Sequence, residues 1–419
     1  MSERLDVISF LGLPDVSLEI RDSNILIGPQ AAGKSVCAKL FYYCKSFLTS
    51  LDSIVENDET KNDLNKKLQQ RFYSYFSPWS WPPGEFQIYY QLGDFYVKID
   101  RARSSKGAVK ISTPSSYARI LREAKNYYRK SVSKNENFNA HNDPKLIFDA
   151  REWMYTRIES EYGARAGLRQ IYVPAGRSFF ANLQRSIFTF LSSNNAIDPF
   201  LQDFGAFYEA LKYPPRNLRK KEEKKSKEKI NQGISEVLKG QHSIEKGLDY
   251  LVLSDERKVP IGSCSSGQQE LLPLAILLKF LAGAKTFSKG FTVYIEEPEA
   301  HIFPDAQRKI ISILALAYNL SPSRVQFVLT THSPYVLTAL NNHIQAGYVS
   351  EKAPEKKNEL SKILSQDEWL FPEQGAAYSL TEKGAQDIMD SDGIICSEVI
   401  DAVSDDLSEQ FDSILDMDH

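Results

Sequence analysis

Gly28-Pro29-Gln30-Ala31-Ala32-Gly33-Lys34-Ser35 has the spacing G-x-x-x-x-G-K-[ST] of a phosphate-binding loop. Its glycines let successive backbone N–H groups turn toward one point, and a helix start adds partial positive charge there. Lys34 can reach the β- and γ-phosphates of a nucleotide, and the Ser35 hydroxyl can ligate Mg²⁺. With average Gly, Lys and Ser/Thr usage, roughly one or two chains of this length per hundred carry the pattern by accident. The flanking segments lower that chance further.

Three more stretches carry groups that could act on phosphates. An apolar run at 291–295 reads as a buried strand and ends in Glu296 and Glu297. At a strand end beside a phosphate loop, the first carboxylate can hold Mg²⁺ and its waters. The second can orient and deprotonate an attacking water. A second apolar run, 325–331, ends at His332, within reach of a γ-phosphate. A lone histidine is more often only a satisfied polar group. Ser265-Ser266-Gly267-Gln268 precedes an apolar helix at 271–281. A Ser-Gly pair at a helix start offers a hydroxyl, N–H groups and a positive helix end, a weak signal when alone.

These groups need strands and helices to hold them. Ile25-Leu26-Ile27 leads into the loop as a short buried strand. After Ser35, Val36, Leu40, Cys44 and Phe47 fall on one helical face, and 35–72 reads as helical. Residues 5–27 alternate well enough for two or three strands. The aromatic cluster Phe72, Tyr73, Tyr75, Phe76, Trp79 and Trp81 reads as core packing under a loop rather than a base-stacking surface. Phe86, Ile88 and Tyr90, then Phe95, Val97 and Ile99, alternate around a turn at Leu92-Gly93-Asp94. With a third strand over 108–112 they predict an antiparallel ladder. A strand at 168–173 runs into Pro174-Ala175-Gly176-Arg177-Ser178, and a helical lobe follows over about 179–250. Its basic stretch, 216–229, mixes eight Lys/Arg with three Glu and reads as a solvated helix. No heptad pattern runs for more than a few turns, which argues against a long coiled-coil arm.

At 419 residues, 42% hydrophobic and 25% charged, the chain has the composition of a globular protein. Its net charge of −3 names no partner. Cys37, Cys44, Cys264 and Cys396 lack metal-like spacing, which fits thiols in a reducing cytosol. No signal-peptide pattern and no membrane-length apolar run occur, so a cytoplasmic location is expected. Residues 101–134 are one-sided: ten Lys/Arg against Glu123, with Tyr117, Tyr127 and Tyr128 interleaved. A solvated helix face and a contact with DNA or an acidic partner both fit.

The order of phosphate loop, distant Ser-Gly-Gln stretch, carboxylate strand and histidine strand resembles the ABC-type ATPase head. More narrowly, GPQAAGKS, YVPAGRS, SSGQQELLPL, YIEEPEAHIFP and VLTTHSPYVL are similar to the small SMC-like AAA-family ATPases of bacterial defence operons. These include the ATPase subunits of PARIS, Septu and retron systems. The ATPase half of overcoming-lysogenization-defect nucleases is similar too. The resemblance implies an α/β fold: an ABC-type P-loop ATPase head with an antiparallel β subdomain, a helical lobe (about 115–250) and a small acidic helical C-terminal extension. It implies a head over 1–345 and a cap with an acidic amphipathic helix over 346–419.

By the same resemblance, ATP and Mg²⁺ are the expected ligands. Gly28, Pro29, Gln30, Ala31, Ala32, Gly33, Lys34 and Ser35 would form the nucleotide loop. Ser35 and Glu296 would be the metal ligands; Glu296 stands where transporter heads usually have Asp. Glu297 matches the catalytic base, His332 the switch histidine, and Lys34 the phosphate-binding lysine. Ser265, Ser266, Gly267 and Gln268 match the signature motif, which in such heads serves ATP bound to the opposite protomer. Glu299-Ala300-His301 matches the loop that crosses the dimer interface. Arg177 stands where a Q-loop glutamine is expected and is assigned phosphate sensing.

Beyond residue 341, Trp369, Phe371 and Tyr378 look like packing anchors of a small mixed cap. No Lys or Arg follows Lys383, whereas eleven Asp/Glu do. Val399, Val403, Leu407, Phe411 and Ile414 or Leu415 repeat at helical spacing, which fits docking on the chain's own head or on a partner. Asp390-Ser391-Asp392 has the D-x-D pattern of TOPRIM-type nucleases, but too little chain surrounds it for such a domain. A nuclease under this protein's control would be a separate chain. The expectation is an ATP-hydrolysing sensor or scaffold. Its heads form a homodimer or higher homo-oligomer, and it controls a nuclease or toxin in anti-phage defence. The alternative is a DNA-repair or DNA-maintenance ATPase of the SMC-like class. A transporter ATPase fits worse, because about 230 residues separate loop and signature.

Overall fold

The computed structural model describes residues 2–49, 61–81, 83–102, 108–133, 144–181, 197–212, 224–283, 289–396 and 408–414. Its strands, in chain order, are β1 (Glu3–Ile8), β2 (Val16–Glu19), β3 (Ser23–Ile27), β4 (Phe86–Leu92), β5 (Phe95–Arg101), β6 (Lys110–Ser112), β7 (Arg169–Val173), β8 (Gln241–Glu245), β9 (Leu248–Val252), β10 (Lys258–Pro260), β11 (Phe291–Glu296), β12 (Val325–Thr331), β13 (Gly375–Thr381) and β14 (Gly384–Asp387). The longer helices are α1 (Lys34–Thr49), α2 (Lys61–Tyr75), α3 (Ser115–Ser133), α4 (Pro144–Tyr162), α5 (Pro199–Lys212), α6 (Lys224–Leu238), α7 (Ser266–Gly283), α8 (Pro304–Leu320), α9 (Pro334–Lys352) and α10 (Lys357–Ile363).

A six-stranded sheet of order β14-β13-β3-β12-β11-β7 forms the centre, and all but β14 run parallel. β11 and β12 at its centre are buried at every position, as strands covered on both sides must be. Side-chain parity sorts those faces. Leu26, Tyr172, Tyr294 and Val328 join one core, and Ile25, Ile27, Ile171, Val173, Val293 and Ile295 join the other. Glu296 has the parity of Tyr294, which puts it on the same face as α1.

The first core lies between the central sheet and a five-stranded antiparallel sheet, β2-β1-β4-β5-β6, with α1 in the middle. Leu40 to Leu48 are buried without interruption along α1. A helix sandwiched between two sheets has no solvent face, so the amphipathic stripe expected after Ser35 is only part of its buried surface. The second core packs α7, α8 and α9 on the opposite face.

Polar groups lock the layers together. Lys45 Nζ donates to Glu3 Oε1 (3.0 Å) and Gln326 Oε1 (2.6 Å). Tyr90 Oη donates to Glu3 Oε1 (2.6 Å), and Gln326 Nε2 to Glu3 Oε2 (2.9 Å). Both charges have fully buried side chains. One network thus ties β1, α1, β4 and β12.

Several expectations change. The expected helical lobe ends in strands: β8 and β9 form a hairpin through Lys246 and Gly247, both at positive φ (49° and 83°). Such a two-residue turn matches the twist of paired strands. The boundary at 345 falls inside α9, and β13 pairs with β3 in the central sheet. Residues 375–387 therefore belong to the head rather than to a separate cap. The aromatic cluster is core, with Phe72, Phe76 and Trp81 buried, but Trp79 is 98% exposed. Tyr117 and Tyr128 are buried, and Tyr127 stacks on Trp153 at 5.1 Å. None of these three tyrosines stands free to stack on a base. Asp390 closes a turn by accepting the N–H groups of Asp392 and Ile394, which accounts for the D-x-D pattern. Val399, Val403, Leu407 and Leu415 lie outside the described residues. The described helical stretch 408–414 is exposed, including Phe411 and Ile414.

Removing one partner of a buried ion pair strands the other. Glu3→Ala should therefore lower unfolding free energy by about 3–5 kcal/mol, whereas Glu3→Ala with Lys45→Met should recover much of that loss. Urea denaturation of the three proteins checks this; equal loss in single and double variants would contradict it.

Candidate functional site

β3 and β12 end level with each other, and β11 ends one residue earlier. Ile27 pairs with Thr331, and Thr330 with Glu296. The next residues along the three strands are Gly28, His332 and Glu297. The phosphate loop, the histidine and the second carboxylate therefore meet at the carboxyl edge of a parallel sheet, where such folds bind ligands.

The loop is built on close approaches. A Cβ on Gly28 would lie 2.1 Å from Leu380 O on β13, and one on Gly33, at φ +90°, 1.7 Å from Leu13 Cδ2. Lys34 Nζ curls back over the loop. It donates to Gly28 O and Pro29 O, each at 2.8 Å, and meets His332 Nδ1 at 3.2 Å. Those acceptors take all three ammonium protons. His332 Nδ1 must then be the acceptor, so the ring proton sits on Nε2, which faces Glu297 Oε1 at 3.4 Å. Burial pulls the Lys34 ammonium down from its ordinary range, while Glu297 and Glu299 oppose that shift. Lysine, histidine and glutamate thus form one chain of contacts.

Glu297 leaves its strand at φ 44°, a left-handed conformation costing of order 1–3 kcal/mol in a residue with a side chain. Its N–H donates to Thr330 O at 2.9 Å. Glu299 Oε1 accepts Thr331 Oγ1 (2.7 Å) and His332 N (2.8 Å), binding the loop after β11 to the loop after β12. Glu299 Oε2 and Thr330 Oγ1 are buried without a hydrogen-bond partner.

Glu296 is 5% exposed. Its Oε1 accepts Tyr172 Oη at 2.6 Å, and its Oε2 accepts Ala175 N at 3.0 Å. Burial and the neighbouring Glu296 charge hold the Tyr172 phenol well above its usual range, so it stays a donor. Each carboxylate oxygen keeps a second lone-pair site. Ser35 lies half-buried at the start of α1, on the face that Glu296 shares. Two hard protein oxygens suit Mg²⁺, which normally completes its shell with phosphate and water. Among the described residues no group of three or more His, Cys, Asp or Glu could hold a metal alone.

Ser265 and Ser266 are exposed at the start of α7, and Gly267 is buried. A Cβ there would lie 2.7 Å from His301 O. Gln268 turns inward: its Oε1 accepts from Ser265 N at 3.1 Å, and its Nε2 donates to Leu238 O at 2.8 Å. Among the described residues, neither Ser265 nor Ser266 hydrogen-bonds to Lys34 or His332 of the same chain.

Arg177 corrects one expectation. It is wholly buried, and its guanidinium is spent on Pro174 O, Glu296 O, Glu297 O and Glu270 O. It does not stand where a phosphate could meet it. Tyr172, Arg177 and Glu270 went unread as supports of the carboxylates. The available signal was weak: a tyrosine within an apolar strand, and a glutamate in the first turns of an apolar helix.

Strand order, loop and carboxylate strand together define an α/β P-loop fold with an antiparallel β subdomain. A family model described as "AAA domain, putative AbiEii toxin, Type IV TA system" matches residues 23–338. That is about three quarters of the chain, which belongs to this family. Among solved structures it is similar to the SMC head domain from Thermotoga maritima, at 13% identity over 81% of this chain and 91% of that one, with a TM-score of 0.36. It is also similar to the SmcHead bound to the C-winged helix domain of ScpA (10% identity, 92% and 96% covered, TM-score 0.43). A third is the Smc head domain with an extended coiled coil bound to the C-terminal domain of ScpA derived from Pyrococcus furiosus (13%, 92% and 95%, TM-score 0.37). No curated protein matches. No helix among the described residues is long and apolar enough to cross a membrane.

Tyr172→Phe removes one of the two bonds that orient Glu296. The Mg²⁺ concentration for half-maximal ATP turnover should rise about tenfold, while metal-free nucleotide binding stays unchanged. An unaltered Mg²⁺ titration would contradict the role given to Tyr172.

Proposed function

We propose that this chain binds and hydrolyses ATP, with two heads closing around the nucleotide. The observation that carries this reading is the contact chain Lys34–His332–Glu297 at the edge of the sheet. Lys34 is held in the loop by exchangeable acceptors, so an arriving phosphate oxygen can replace one of them. Glu297 takes a proton from water as the water oxygen bonds to the γ-phosphorus and the bond to the β–γ bridging oxygen breaks. His332, with its Nε2 proton toward Glu297, holds that carboxylate. Ser35 and Glu296 would hold Mg²⁺, which supplies charge neutralisation of the β- and γ-oxygens.

Exposed Ser265 and Ser266 at the start of α7 support a role at a second copy's nucleotide. In that arrangement ATP prefers the closed pair, and hydrolysis releases it. We infer further that the head serves as sensor or scaffold for a separate effector, a nuclease or toxin, in anti-phage defence. The family description and the exposed Phe411 and Ile414 in an acidic stretch support that reading. Direct action on DNA is the second reading. It has the exposed Arg122, Arg129 and Lys130 of α3 in its favour, but lacks free tyrosines beside them.

Mixing complementary variants tests the shared site. Lys34→Ala should lose ATP binding, and Ser266→Arg should bind ATP without turning it over. Mixed, they should regain turnover, because one intact loop meets one intact signature. Two inactive proteins that stay inactive when mixed would contradict the sharing.

A further inference from the structure

Arg177 has no exposed surface, and the proposed reaction does not use it. A buried guanidinium is costly unless its N–H groups are met. Here Nη1 donates to Glu296 O at 2.7 Å and Pro174 O at 3.1 Å, and Nη2 to Glu297 O at 3.0 Å. Nε donates to Glu270 O at 3.0 Å. The main-chain N–H groups of Arg177 and Ser178 donate to the Glu270 carboxylate at 2.8 and 3.0 Å. Glu270 is itself fully buried in the early part of α7.

One side chain therefore grips the carbonyls of both candidate site carboxylates and the backbone of the helix that opens with Ser266. Glu297 is where the chain adopts its left-handed φ of 44°. That conformation persists only when its surroundings hold it. The same helix presses on the same loop a second time, where Gly267 meets the backbone of His301, at φ 60°. Arginine suits this post because its planar fork presents fixed donors to several acceptors, which a lysine cannot reproduce.

We propose that Arg177 is a positioning residue: it holds the Glu297 main chain in its left-handed turn and, through Glu270, fastens that turn to α7. The proposal rests on the reading of Glu297 as the base. Helix and carboxylate loop then shift as one body. Engagement of Ser266 and Gly267 by a second copy's nucleotide is felt at this protomer's own Glu297.

Arg177→Lys and Glu270→Gln test it in the full chain, each alone and each combined with Glu297→Gln. Binding of a fluorescent ATP analogue and the melting temperature report on site and fold; steady-state turnover reports on chemistry. Each single variant should lower kcat about tenfold or more, with KM and Kd changed less than about twofold. On the Glu297→Gln background neither should lower the residual rate further, because no carboxylate remains to be aimed. Losses of equal factor on both backgrounds, unchanged kcat, or loss of nucleotide binding would overturn the proposal. If Arg177→Lys does not fold, Glu270→Gln, nearly isosteric with the native residue, decides by the same outcomes. A wild-type rate in Glu297→Gln alone removes the base assignment and this proposal together, whereas equal losses on both backgrounds remove this proposal alone.

Discussion

The parallel register of β3, β12 and β11 sets where each reacting group can stand. Ile27, Thr331 and Glu296 are the last residues of three neighbouring strands, and the next residue on each is Gly28, His332 or Glu297. A slip of one residue in β11 would exchange its faces. Glu296 would leave the side of α1 and Tyr172, and Glu297 would move inside the sheet. Side-chain bonds to the flanking strands oppose that slip: Thr292 Oγ1 donates to Gln326 Oε1 at 2.9 Å and Tyr294 Oη to Gln170 Oε1 at 2.7 Å. Strand pairing and these bonds thus fix the spacing of the site.

The site is also wired into the body of the protein. Glu296 is held by Tyr172 and Ala175 from β7 and its following loop, Glu297 by Arg177, and Glu299 by Thr331 and the His332 amide. No single loop owns the chemistry. Lys34 differs from the carboxylates in this respect, since its partners are two loop carbonyls and a ring nitrogen. It is the group whose contacts an incoming phosphate can replace without breaking the core. Glu299 Oε2 and Thr330 Oγ1, both buried without a hydrogen-bond partner, lie in the same neighbourhood.

What could be read from the sequence was local. The phosphate loop, the carboxylate pair and the histidine each sit at the end of a short apolar run, so strand and functional residue appear together in a few residues. The outer ladder showed itself through strict alternation around Leu92-Gly93-Asp94. What stayed hidden depended on distant partners. β13 is a short run whose place beside β3 follows from pairing across some 350 residues, and no local pattern states it. The β8–β9 hairpin was masked by its charged neighbours and by a Lys-Gly turn. Arg177 was misassigned because its position after a strand fits a phosphate contact. Its burial against Glu270, 93 residues on, is visible only in three dimensions.

The central claim is that ATP is the element that joins two heads. The most direct measurement is the solution mass of Glu297→Gln protein by light scattering, with and without Mg-ATP. A doubling of mass on adding Mg-ATP, absent when Ser266→Arg is added to the same protein, is the predicted result. A mass that is the same in both conditions would contradict the account.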